Sequence, residues 1–115
     1  MATTSSDAIV SYADADRSLA GRVAVVTGGS RGIGAGIVER LAARGAAVAF
    51  TFNREEAPAR ALEAMITARG QGALAAACDV TESAAVTSFL TMVTSTLGPV
   101  DILVNNAGID RKSVV

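Results

Sequence analysis

TGGSRGIG, Thr27 to Gly34, sets four glycines in eight residues directly behind the apolar run VAVV, Val23 to Val26. Glycine inside a helix or strand costs roughly 0.5–1 kcal/mol relative to alanine, so so dense a cluster has to serve something other than regular structure. The run before it reads as a buried strand, and Ile33, Ile37, Val38 and Leu41 behind it recur at helical spacing. The glycines therefore fall on a strand-to-helix junction. There the first-turn N–H groups lack intrahelical acceptors and the helix dipole is positive. Glycine lets the backbone turn tightly and approach a pyrophosphate without a Cβ in the way, and lets the helix pack close to the strand. The alternative is a plain glycine-rich turn, and the surrounding pattern favours the phosphate cradle.

That pattern is an alternation. Short apolar runs, VAVVT (Val23 to Thr27), AAVAF (Ala46 to Phe50), ALAAAC (Ala73 to Cys78) and DILVN (Asp101 to Asn105), are separated by stretches of helical period. Apolar residues at consecutive positions suit strands covered on both faces, as parallel strands are. Leu62, Met65 and Ile66 form a second helical stripe, and Val86, Phe89, Leu90, Val93 and Leu97 a third. Pro58 suits the first turn of the second helix, Thr81 is placed to cap the third, and Gly45, Gly70 and Gly98 stand where the helices should end. The expected fold is α/β: a doubly wound parallel sheet of about four strands with crossover helices.

Composition excludes several classes of function. The chain has 115 residues, half of them hydrophobic, with 10 basic and 11 acidic residues for a formal net charge of -1. One domain is expected, and the interspersed charges offer nothing to a nucleic acid or a membrane surface. Cys78 is the single cysteine and there is no histidine, so neither an internal disulfide nor the commonest metal ligand is available. The opening MATTSSDAIVSYADAD has no basic n-region, and no segment approaches the roughly 20 apolar residues of a membrane span. A cytoplasmic, metal-free protein is expected, with residues 1–18 a disordered polar extension, 19–110 the nucleotide-binding domain and 111–115 a tail.

Other glycine motifs fit less well. A P-loop needs Lys then Ser or Thr after its last glycine, whereas Gly34 is followed by Ala35 and Gly36. GIGAG, Gly32 to Gly36, would suit an adenosyl-cofactor methyltransferase, but the acidic residue wanted at the end of the next strand is Phe52. The same position bears on the dinucleotide, because a carboxylate about 20 residues beyond the glycines would bond a ribose 2′-hydroxyl and repel a 2′-phosphate. Arg31 inside the loop, and Asn53 with Arg54 after the second strand, instead offer cationic and amide donors. NADP(H) is therefore expected over NAD(H), with pairing of Arg54 to Glu55 or Glu56 as the feature that would weaken Arg54.

TGGSRGIG resembles the TGxxxGxG cofactor loop of the short-chain dehydrogenases/reductases, and NNAG, Asn105 to Gly108, resembles that family's signature after the fourth strand. With CDVT, Cys78 to Thr81, in order and spacing, the resemblance covers about residues 18 to 110 and is nearest the 3-oxoacyl-acyl-carrier-protein reductase type. It implies a Rossmann-type sheet of order 3-2-1-4, with Gly28, Gly32 and Gly34 shaping the pyrophosphate loop and Ile33 carried with them. Ser30 and Arg31 would lie near the adenosine ribose and its phosphate, and Asp79 and Val80 near the adenine. Asn105, Asn106, Ala107 and Gly108 would line the nicotinamide-side ribose, the alternative for the asparagines being backbone capping.

The family's catalytic serine and Tyr-x-x-x-Lys pair follow the NNAG segment. Here the only tyrosine is Tyr12, the only lysine is Lys112, and Ser113 is too close to NNAG. No catalytic residue is assigned. The expectation is the cofactor-binding part of a reductase acting on a ketone or alcohol, with turnover depending on segments not in this sequence. The alternative is a non-catalytic nucleotide-binding or interaction fragment, self-associating through an open sheet edge at DILVN.

Overall fold

The computed structural model describes residues 17–106. Strand β1 (Val23–Thr27) leads through the glycine loop into α1 (Gly32–Ala43), followed by β2 (Ala47–Phe52), α2 (Glu56–Ala68), β3 (Ala73–Ala77), α3 (Ser83–Thr96) and β4 (Ile102–Asn105). All four strands are parallel, in the order β3-β2-β1-β4 expected from the sequence. Val25 stands opposite Ala49 on one side and Leu103 on the other.

Strand alternation divides the core into two. Ala24 and Val26 of β1 and Val48, Phe50 and Phe52 of β2 face α1 and α2, against Val38, Ala42, Ala59, Leu62 and Ile66. Val23, Val25, Ala49 and Ala76 face α3, against Phe89 and Val93. The helices stop where left-handed glycines allow: Gly45, Gly70 and Gly98 have φ of 102°, 85° and 119°, each just beyond a helix C-cap. Pro58 lies in the first turn of α2, where its missing N–H deprives no carbonyl of a partner. Among the described residues no helix is long and apolar enough to cross a membrane.

Several local expectations are corrected. β2 runs two residues beyond AAVAF, to Phe52, and so takes in Thr51. Coverage on both faces holds for β1 and β2 but not for β4, where Leu103 is 64% exposed while Ile102 and Val104 are half-buried. The cause is lateral: α3 covers the middle of the sheet, and no described element lies over β4 on that side. Ile33 is 79% exposed, since the first turn of α1 projects past the sheet end, and Leu90 lies at the rim of α3 rather than in its buried stripe. Thr81 does not cap α3. The N-cap is Glu82, without a side-chain bond, because the Thr81 hydroxyl is turned to Asp79.

The two sheet edges differ. At β3, Arg60 Nη1 of α2 donates to the Ala75 carbonyl and Glu63 Oε2 accepts the Ala75 N–H, both at 2.9 Å. Side chains thus occupy backbone groups that would otherwise template a further strand. β4 has no comparable guard among the described residues.

Phe50 is the largest fully buried side chain and anchors β2 to both neighbours. Phe50→Ala is expected to lower the unfolding free energy by about 3–5 kcal/mol, measured by denaturant titration.

Candidate functional site

Because every strand is parallel, the carboxyl ends of all four open onto one edge of the sheet. That edge collects the glycine loop after β1, Asn53 and Arg54 after β2, Asp79 and Val80 after β3, and Asn105 and Asn106 at the end of β4. Between β1 and β4 the chain order reverses, the place where open α/β sheets bind ligands. Of the residues expected at the site, Ala107 and Gly108 lie outside the described residues, as do Tyr12, Lys112 and Ser113.

The loop is shaped by contacts that side chains would block. Gly28 and Gly32 are left-handed, with φ of 68° and 63°. A Cβ on Gly34 would land on the Gly28 carbonyl oxygen and lie 2.9 Å from Asn106 Nδ2, so only glycine lets α1 begin this close to the end of β1. Gly29 was not among the residues expected to act here. A Cβ there would lie 2.7 Å from Phe50 Cβ and 2.8 Å from a Val38 methyl, so it seats the loop on the core.

Three hydrogen bonds fix the loop's first peptides. The Gly28 N–H donates to Thr51 Oγ1 at 2.9 Å, the Gly29 N–H to the Thr51 carbonyl at 3.1 Å, and Asn106 Nδ2 donates to the Gly28 carbonyl at 3.1 Å. Asn105 Oδ1 accepts the Thr27 hydroxyl at 3.1 Å. The asparagine pair therefore ties β4 to the start of the loop. Thr51 escaped the sequence reading because a threonine within an apolar run is an ordinary strand residue.

The start of α1 is open to an anion. Its N-cap, Arg31, is extended and no side chain caps the helix, so backbone donors of the first turn remain available beside the loop glycines. Ser30 is buried at the base of the loop. A pyrophosphate fits such a cradle, with its charge met by N–H groups rather than by a lysine.

The cations are arranged differently from expectation. Glu55 pairs with Arg31, Oε2 to Nη2 at 3.4 Å, and Glu56 with Arg60 at 3.3 Å. Arg54 makes no ion pair among the described residues, and it and Asn53 are exposed at the end of β2. The carboxylate competition thus falls on Arg31, whose side chain is 72% exposed. Beyond β3, Asp79 Oδ1 accepts the Thr81 hydroxyl at 2.6 Å and the Thr81 N–H at 2.9 Å, bonds that hold its carboxyl below the usual aspartate range. Burial, with the neighbouring Asp79 charge, pushes the Cys78 thiol up. Val80 is half-buried against the α3 side of the core.

Comparison with known proteins finds relatives over most of this chain. The model of a family described as short chain dehydrogenase matches residues 22–115. The chain is similar to the 3-oxoacyl-acyl-carrier-protein reductase FabG of Escherichia coli, 45% identical over 95 residues, covering 83% of this chain and 37% of that protein. Among solved structures it is similar to a short chain dehydrogenase from Burkholderia cenocepacia in complex with NADP, with a TM-score of 0.77 and 44% identity over 87% of this chain and 42% of that one. A short-chain dehydrogenase/reductase from Serratia marcescens matches with a TM-score of 0.73 and 48% identity, covering 76% of this chain and 36% of that one. The chain thus spans well under half the length of the relatives it matches.

Two substitutions test the geometry. Gly34→Ala is expected to cost about 1–3 kcal/mol in unfolding free energy, because the first turn of α1 must move off the Gly28 carbonyl. At Asp79 the folded chain gives up its proton more readily than the unfolded one. Its contribution to stability is therefore full above the unfolded pKa and lost as pH falls through the lower folded value. Asp79→Asn should lose less thermal stability than the wild type on acidification below about pH 4, followed by circular dichroism.

Proposed function

The chain belongs to the short-chain dehydrogenase family, and from that membership we propose that residues 19–110 are the NADP(H)-holding part of an oxidoreductase that moves hydride between NADP(H) and a ketone or alcohol. The observation that carries this reading is the Gly28–Gly34 cradle beneath an uncapped helix, opening at the shared carboxyl edge of a parallel sheet. The NADP complex of the similar Burkholderia cenocepacia dehydrogenase supports the cofactor, and the reductase name of the Escherichia coli relative supports the reaction class.

In this reading the first-turn N–H groups of α1 hold the pyrophosphate, with Ser30 and Ile33 at the loop's base and rim. Arg54, which makes no ion pair among the described residues, and Arg31, once drawn from Glu55, hold the 2′-phosphate beside Asn53. No carboxylate stands at Phe52 to favour a bare 2′-hydroxyl. Asp79 and Val80 flank the adenine, while Asn105, Asn106, Ala107 and Gly108 line the second ribose. The bound cofactor would supply the hydride. The accompanying proton is assigned to no residue of these 115, since they contain no Tyr-x-x-x-Lys.

A second reading rests on β4, whose exposed Leu103 and edge, unguarded among the described residues, suit pairing with another copy of the chain, without turnover.

Calorimetric titration of the chain, with light scattering on the same samples, tests both. NADPH should bind about tenfold tighter than NADH, the equivalent of one charge-assisted contact. Arg54→Ala should reduce NADPH affinity and leave NADH unchanged, and Glu55→Gln, which releases Arg31, should raise NADPH affinity alone. Equal affinities overturn the choice of cofactor, and binding of neither overturns the site. A dimer indifferent to both nucleotides favours the second reading.

A further inference from the structure

Thr51 is not among the positions assigned to cofactor contact, yet both its hydroxyl and its carbonyl serve the loop. The side chain is 2% exposed, among the few buried polar groups of the described residues. Its Oγ1 accepts the Gly28 N–H at 2.9 Å while its carbonyl accepts the Gly29 N–H at 3.1 Å. From the opposite side, Asn106 Nδ2 donates to the Gly28 carbonyl at 3.1 Å. Gly28, a left-handed glycine, is thus held at its N–H from β2 and at its C=O from the end of β4, which fixes both the Thr27–Gly28 peptide and the Gly28–Gly29 peptide that carries the carbonyl. Gly34 of α1 rests on that same carbonyl, so the plane of this peptide sets where the first turn of α1 begins and how its donors are aimed.

We infer that Thr51 is a positioning residue of the nucleotide loop: its buried hydroxyl holds the Gly28 N–H while Asn106 holds the Gly28 C=O, so that together they set the Gly28 backbone and through it the N–H groups that meet the pyrophosphate. The inference rests on the cofactor reading above and extends it to a side chain that never meets the ligand. Valine at this position keeps shape and β-propensity but leaves the Gly28 N–H without its acceptor. Serine keeps the acceptor.

The chain and its Thr51→Val and Thr51→Ser variants are titrated with NADPH, with NADH, and with adenosine 2′-monophosphate, which carries the 2′-phosphate but no pyrophosphate. Thr51→Val should weaken NADPH and NADH by the same factor, about tenfold. Adenosine 2′-monophosphate should bind it as it binds the wild type, and Thr51→Ser should restore both dinucleotides. Unchanged dinucleotide binding by Thr51→Val overturns the inference while leaving the cofactor reading intact. So does an equal loss for adenosine 2′-monophosphate, which would mean general loosening, or a failure of serine to rescue. Should Thr51→Val not fold, Thr51→Ala removes the same hydroxyl without setting a methyl group against the Gly28 N–H and must show the same split between ligands. A wild-type chain that binds no dinucleotide overturns the cofactor reading and this inference together.

Discussion

The close approach of α1 to the end of β1 is the constraint on which the rest of the structure depends. The Gly34 backbone rests on the Gly28 carbonyl with no room for a methyl group, and Gly29 is pressed onto Phe50 and Val38 in the same way. These contacts draw the helix down to the sheet, so that Val38 and Ala42 reach the core beside Ala24, Val26 and Phe50. They also decide what the helix presents at its start, since a helix begun this close to a strand end, with no capping side chain, offers bare N–H groups at the sheet's carboxyl edge. Packing and a bare helix start follow from one absence of side chains.

The sheet around this contact is asymmetric. On one side β2 and β3 lie under two helices, and the outer edge is closed by Arg60 and Glu63 at Ala75. On the other side β4 is half-covered, joined to β1 by parallel pairing, by Asp101 accepting the Val23 N–H, and by the two asparagines at its end. The asparagines thus connect the least covered strand to the most constrained loop. Loss of order in β4 would release the Gly28 carbonyl, so the stability of that edge and the shape of the cradle are linked.

Charge is arranged so that it can be exchanged. The Arg31–Glu55 pair is exposed at 3.4 Å, a type of contact worth about 0–1 kcal/mol, which a doubly charged phosphate can replace. Arg54, exposed at the end of β2, makes no ion pair among the described residues. The two arginines therefore differ in readiness rather than in charge: one is available at once, the other after its internal partner is displaced.

Much of the architecture was legible in the residues. Consecutive apolar positions marked the four strands, helical spacing marked three helices, and glycines at 45, 70 and 98 marked their ends, because burial and backbone sterics act over a few neighbouring residues. The strand order came from the resemblance carried by TGGSRGIG, CDVT and NNAG. Beyond local reach the sequence was silent or misleading. Ile33 and Leu90 have the right spacing for a core yet face outward, since what a helix covers depends on where the sheet beneath it stops. Thr81 had the right chemistry for a cap but bonds Asp79, a competition settled by the turn after β3. The pairing of Glu55 with Arg31, and of Thr51 and Asn106 with the N–H and C=O of one glycine, joins residues 23 to 78 positions apart. By itself, then, the sequence determined the elements and where the glycine loop falls between them, because those depend on local periodicity and on glycine's missing Cβ. Which side chains hold the loop, and which cation is left free, was decided only when the parallel sheet brought the ends of its strands together.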